Sequence, residues 1–223
     1  MKAGYTCMSF DFSDHGTSDR ADGVTSPHGT TLGLRESRDV TRVVKFAVKY
    51  WPQLKIALLG TSTGSVASFI ALASDAFVSQ HVACLVAENP FSSIAGITWD
   101  TVQNIVFKGM LCKHNRRVFL LTSPLMLIVN FLVVLKTVAR LKGEGYFSTM
   151  SCLESVRKST TPAFVMHGLA DQIVPILHTK QLVAGVSSIK EIWYLPGAGH
   201  CQLWDTDKEL FESKVLDFLA AHC

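Results

Sequence analysis

The chain has 223 residues, 48% hydrophobic and 17% charged, with a net charge of +3 at pH 7. That apolar content excludes a disordered chain and supports a sizeable core, while the length admits one large domain or two small ones. The six cysteines (Cys7, Cys84, Cys112, Cys152, Cys201 and Cys223) form no CxxC pair and no zinc-type Cys/His spacing, so no metal or cofactor is expected.

Residues 5–12, "YTCMSFDF", are the first of five short apolar runs that read as buried strands. No apolar run before Asp11 is long enough for a signal peptide, so the expected setting is reducing and cytoplasmic. Residues 34–50 place Val40, Val43, Val44, Ala47 and Tyr50 on one helical face. The second strand, 54–60, leads at once into a helix of small apolar residues, 63–74. The third strand, 81–87, includes Cys84, which reads as a small core hydrophobe.

Residues 91–160 hold no convincing strand and are too long for an ordinary loop; they read as an inserted helical cap. Inside it, residues 118–135 run for 18 positions without a charge, at the lower limit for a membrane span. Ser123 and Pro124 look like an N-cap and first helical position. Three readings stay open: a buried cap helix, a helix dipping into a membrane surface, or a span. Lys108, Lys113, Arg116, Arg117, Lys136, Arg140 and Lys142 give the window 105–142 a charge of +7, against −4 for the remainder. A basic, apolar cap is what an anionic membrane surface attracts, and a solvated basic lid is the alternative. Nucleic acid is not an expected partner, because no aromatics interleave with these charges.

Strands 162–168 and 190–196 follow, then a helix over 207–221 with Leu210, Phe211, Val215, Phe218 and Leu219 on one stripe. Alternation of strands and helices predicts an α/β fold with a mostly parallel sheet and flanking helices. Its core would be residues 1–90 and 161–223, and its cap residues 91–160.

Gly60-Thr61-Ser62-Thr63-Gly64 has the G-x-S-x-G form, after a strand and opening a helix, as a nucleophile elbow requires. In that setting the glycines allow a sharp turn that pushes Ser62 outward. The backbone N–H of Thr63 would face a developing oxyanion at the helix N-terminus. A serine hydroxyl is a weak nucleophile and needs a base, and the base needs an orienting acid. Asp171 follows strand 162–168 and His200 follows strand 190–196. The order Ser, Asp, His, with each beyond a strand's C-terminal end, is where open α/β sheets build sites.

"FDFSDHGTSD" (10–19), "GTSTG", "HGLADQIVP" and "GAGH" together resemble the α/β-hydrolase superfamily, in particular its serine aminopeptidase S33-like and monoglyceride-lipase-like serine hydrolases. The resemblance implies Ser62 as nucleophile, His200 as general base, Asp171 as its acid and Thr63 as one oxyanion donor. Glu88, at the end of strand 81–87, is a possible alternative acid. Ser13 and Asp14 depart from the signature's arginine and glycine. Because the signature follows the family's fourth strand, the resemblance also implies that three strands and a second oxyanion loop would precede Met1. Strand 5–12 is then expected either to pair directly with 54–60 or to be displaced, beside a groove. The expected function is hydrolysis of an apolar carboxylic ester through an acyl-enzyme, with no cofactor. The alternative is a truncated, weakly active or non-catalytic binding protein of the same fold.

Overall fold

The computed structural model describes residues 4–19, 30–103 and 152–223, and between these only residues 128, 131, 132 and 135. Helix α1 (Glu36–Tyr50) leads to β1 (Ile56–Thr61), α2 (Thr63–Ser74), α3 (Ala76–His81), β2 (Val82–Glu88) and α4 (Ile94–Gln103). The C-terminal part runs α5 (Cys152–Lys158), β3 (Ala163–Gly168), α6 (Ile176–Val183), β4 (Ile189–Leu195), α7 (Leu203–Thr206) and α8 (Lys208–His222).

The strands form one sheet in the order β1-β2-β3-β4, and every pair is parallel. The register sets Thr61 beside Glu88, Glu88 beside Met166, and Gly168 beside Leu195. All four strands therefore end along one edge of the sheet.

Successive side chains of a strand point to opposite faces, and that alternation divides the core in two. Leu85, Ala87, Ala163 and Val165 face a cluster completed by Val40 and Val44 of α1, Val66, Phe69 and Ile70 of α2, and Val156 of α5. Cys84, Val86, Phe164 and Met166 face the other cluster, closed by Phe211, Val215 and Phe218 of α8. Phe218 lies against Phe164, with ring centroids 5.5 Å apart. Burying one such side chain contributes about 1.5–3 kcal/mol.

Two expected face positions differ. Leu210 is exposed on α8, and Tyr50 is exposed at the end of α1, where it packs on Phe46 and Trp51.

Residues 5–12 are not a strand. They lie outside the sheet with no regular secondary structure, Met8 and Phe10 are exposed, and Phe12 packs against the first cluster. A β-strand exists only where a neighbour takes its N–H and C=O groups, and an apolar alternating sequence cannot supply that neighbour. The following loop is fastened elsewhere: Ser13 N–H and Oγ each donate to the Asp39 carboxylate on α1 at 2.9 Å. Of the two expected outcomes for 5–12, displacement is the one observed. Among the described residues the outer edge of β1 carries no partner strand, and Leu59 on it is 60% exposed.

The ends of segment 91–160 pack on the core: Phe91, Ile97 of α4, and Cys152 and Val156 of α5 belong to the first cluster. Asp100 of α4 accepts from His178 Nε2 of α6 at 2.9 Å. Ser123, Pro124 and the seven basic residues lie outside the described residues. Ile128, Phe131, Leu132 and Leu135 are helical, at the i, i+3, i+4, i+7 spacing of one face, and all are exposed. Among the described residues no helix is long and apolar enough to cross a membrane.

Candidate active site

β1 ends at Thr61 and α2 begins at Thr63, so Ser62 alone makes the turn. Its φ of 49° and ψ of −115° are strained for a residue with a Cβ. The strain is held by the surroundings. Ser62 N–H donates to the Glu88 carbonyl at 2.8 Å, and Ser65 Oγ, buried, lies 2.7 Å from the Gly60 carbonyl and 2.9 Å from that of Glu88. The two flanking glycines are not equivalent. A Cβ on Gly60 would sit 2.6–2.7 Å from the backbone of Gly64 and Ser65, whereas a Cβ on Gly64 would meet nothing within 4 Å among the described residues. The tight approach expected at both flanks is thus found at Gly60 only.

The Ser62 side chain makes no capping bond to the N-terminus of α2. The first-turn N–H groups, Thr63 among them, have no carbonyl within the helix to bond and carry the positive end of its dipole.

Asp171 lies in the turn after β3, its own N–H donating to the Gly168 carbonyl at 3.0 Å. Its side chain is fully buried. Oδ1 accepts the N–H groups of Ile173 and Val174 at 2.8 and 2.9 Å, and Oδ2 accepts His200 Nδ1–H at 2.7 Å and the Asn89 side-chain amide. Burial by itself would raise its pKa. The bond from His200, then those from Val174 and Ile173, outweigh burial and hold the carboxyl below the usual range.

An ionised carboxylate only accepts, so in the neutral His200 imidazole the proton sits on Nδ1 and Nε2 is left with its lone pair. Burial disfavours the His200 imidazolium, but the Asp171 carboxylate, with the Cys201 side chain beside it, outweighs burial and raises its pKa above the ordinary value.

Glu88 is buried at the end of β2, and its Oε1 accepts Leu203 N–H at 3.1 Å. Burial pushes its pKa up. The ring nitrogen Nδ1 of His200 bonds to Asp171, while Glu88 braces the chain just after His200.

Sequence reasoning missed Asn89. It is fully buried, has φ of 49°, donates its backbone N–H to the Met166 carbonyl at 2.9 Å, and aims its amide at Asp171. Its Oδ1 has no partner among the described residues. A polar residue directly after a buried strand was the one available signal. His167, also fully buried, donates Nε2–H to the Val174 carbonyl at 3.0 Å and accepts at Nδ1 from Thr179, an arrangement that supports the turn holding Asp171.

Among the described residues, a four-stranded parallel sheet carries a strained serine elbow with an Asp–His pair at the same edge. The family model described as serine aminopeptidase, S33, matches residues 1–207. The chain belongs to that family. It is a serine hydrolase by family, with the α/β-hydrolase fold. A comparison with curated proteins finds no match.

Solved structures share the fold at low identity. The Pyrococcus furiosus esterase Pf2001 is 21% identical with a TM-score of 0.64, over 99% of this chain and 72% of that one. Est1E from Butyrivibrio proteoclasticus, solved with ferulic acid bound, is 18% identical with a TM-score of 0.59, over 95% of this chain and 75% of that one. A serine hydrolase involved in carbazole degradation is 18% identical with a TM-score of 0.58, over 95% and 78%.

Proposed function

We propose that the chain hydrolyses carboxylic esters through an acyl-enzyme on Ser62. Nε2 of His200 takes the Ser62 hydroxyl proton as Oγ bonds to the ester carbonyl carbon, and the alcohol leaves with that proton. Water then attacks the same carbon, His200 again acting as base, and the acid departs as Ser62 is restored. Asp171 keeps His200 in the required tautomer and stabilises the imidazolium. Thr63 N–H, at the positive end of α2, donates a hydrogen bond to the developing oxyanion.

The observation that carries this reading is the 2.7 Å bond from His200 Nδ1–H to the buried Asp171 carboxylate, which leaves Nε2 to act as the base at the end of the sheet where Ser62 also lies. A fluorophosphonate probe should label Ser62, as located by peptide mass spectrometry. Labelling that persists at full strength in Ser62→Ala would overturn the assignment.

An apolar acyl group is the substrate class that suits segment 91–160 read as a cap. Its described part offers Ile128, Phe131, Leu132 and Leu135 as one exposed apolar stripe. With the basic residues of 105–142 in the same segment, this stripe is also the feature through which the chain would meet an anionic membrane surface.

One observation favours a second reading, a weakly active or non-catalytic protein of the same fold: the site is open on its β1 side, where Leu59 is exposed and Gly64 faces empty space among the described residues. A folded chain that no fluorophosphonate labels would support it.

A further inference from the structure

We propose that Cys84 and Cys223 form a disulfide on oxidation, a redox modification site that fastens the C-terminal helix to the central sheet. The two Sγ atoms lie 2.8 Å apart, although 139 positions separate the residues in sequence. Both are free thiols in this structure. Cys84 is fully buried in β2, on the face that α8 covers. Cys223 follows α8 directly, its N–H donating to the Leu219 carbonyl at 2.7 Å, and its side chain packs against the same cluster. A core that needed only apolar volume at this contact would be filled as well by alanine or valine. Cys152, by contrast, is buried in the first cluster, where burial alone raises its pKa.

The chemistry has a defined order. Cys223 is the more exposed of the two thiols, so a low-molecular-weight disulfide such as oxidised glutathione meets it first. The Cys223 sulfur attacks one glutathione sulfur; a mixed disulfide forms, the glutathione S–S bond breaks, and one glutathione thiolate leaves and takes up a proton. Cys84 then loses its proton and attacks Cys223 Sγ. The protein S–S bond forms, the mixed disulfide breaks, and the second glutathione leaves as a thiol. Two protein thiols are oxidised and one glutathione disulfide is reduced. Burial, and next the neighbouring Cys223, raise the Cys84 thiol well above its ordinary pKa, so the second step is the slower one. The bond closes a long loop through β3 and β4 and ties down α8, which carries Phe211, Val215 and Phe218 over the sheet. Constraining so long a loop raises the melting temperature by roughly 5–15 °C for a chain of this size.

The test uses the full chain, reduced or treated with oxidised glutathione, then alkylated with iodoacetamide in denaturant and digested without reductant. The expected product joins the Cys84 and Cys223 peptides; the intact protein is lighter by two hydrogens and melts higher than the reduced form. Cys223→Ser should leave Cys84 alkylatable and should melt at the same temperature with or without the oxidant. Prolonged oxidation that stops at glutathione on Cys223 with Cys84 still free would overturn the proposal. So would a bond from Cys223 to Cys7 or Cys201, or an equal rise in melting temperature in Cys223→Ser. None of these readouts depends on esterase activity.

Discussion

Replacing Asp171 by asparagine tests the site most directly. The carboxylate accepts four hydrogen bonds, from Ile173 N, Val174 N, Asn89 Nδ2 and His200 Nδ1. An asparagine can keep Ile173 and Val174 on its one oxygen. Its NH₂ must then face both Asn89 Nδ2, another donor, and His200 Nδ1. The first contact leaves a buried donor unsatisfied, at about 1–3 kcal/mol. The second forces the imidazole proton onto Nε2, so the nitrogen proposed as the base loses its lone pair. The wrong tautomer in a triad of this kind lowers kcat about 10⁴-fold, or about 5.4 kcal/mol.

Glu88→Gln is the contrasting change. The glutamine oxygen still accepts Leu203 N–H, and a buried ionisable group is removed, so turnover should stay within a few-fold. The assay is hydrolysis of a short-chain p-nitrophenyl ester by both variants at equal folded concentration, with fluorophosphonate labelling rates alongside. The reasoning fails if Asp171→Asn retains most of the activity while Glu88→Gln loses it, because the working acid would then sit on β2.

Gly60→Ala should destabilise the chain by at least ~3 kcal/mol, since its Cβ would collide with the backbone of Gly64 and Ser65, whereas Gly64→Ala, in open space and inside a helix, should raise stability by up to ~1 kcal/mol; thermal melts rank them. Asn89→Asp would set a second carboxylate against Asp171 Oδ2 at a φ that aspartate tolerates, and should cost about 2 kcal/mol or more. Its deficit should grow as pH rises through the carboxylate range, because both groups are then ionised; a deficit independent of pH would show that the two side chains do not meet. The Asp171–His200 pair also separates two pH optima. The lowered Asp171 contributes stability that is present above about pH 4 and lost as pH falls through its folded pKa, while the raised His200 contributes stability that is present below about pH 6.5 and lost as pH rises through its folded pKa. Catalysis needs neutral His200, so kcat/KM should climb on the alkaline side of that stability window, and melting temperature and kcat/KM peaking at the same pH would contradict the account.

The sequence by itself determined whatever depends on neighbours along the chain. The small-residue run of 63–74 forms α2 at its expected bounds, and the four apolar runs 54–60, 81–87, 162–168 and 190–196 form β1 to β4 within one or two residues. Each is short, β-rich and bounded by turn residues, and β2 and β3 at the centre of the sheet, buried on both faces, ask for no more than that. The places of Ser62, Asp171 and His200 were legible because each lies just past the C-terminal end of such a strand. Tertiary structure decided the remainder, because those features depend on partners far away in the chain. Residues 5–12 carry a strand-like pattern yet form none, since a ladder requires a neighbouring backbone and the following loop is tied to Asp39 instead. Asn89 gains its role only when β2 lies beside β3 and brings its amide to Asp171, 82 residues on. Glu88 reads as an acid from its place after a strand, but the fold turns Oε1 to Leu203, 115 residues away. The asymmetry between Gly60 and Gly64 is likewise invisible in G-x-S-x-G, because what a Cβ would strike is set by how the elbow folds back on itself.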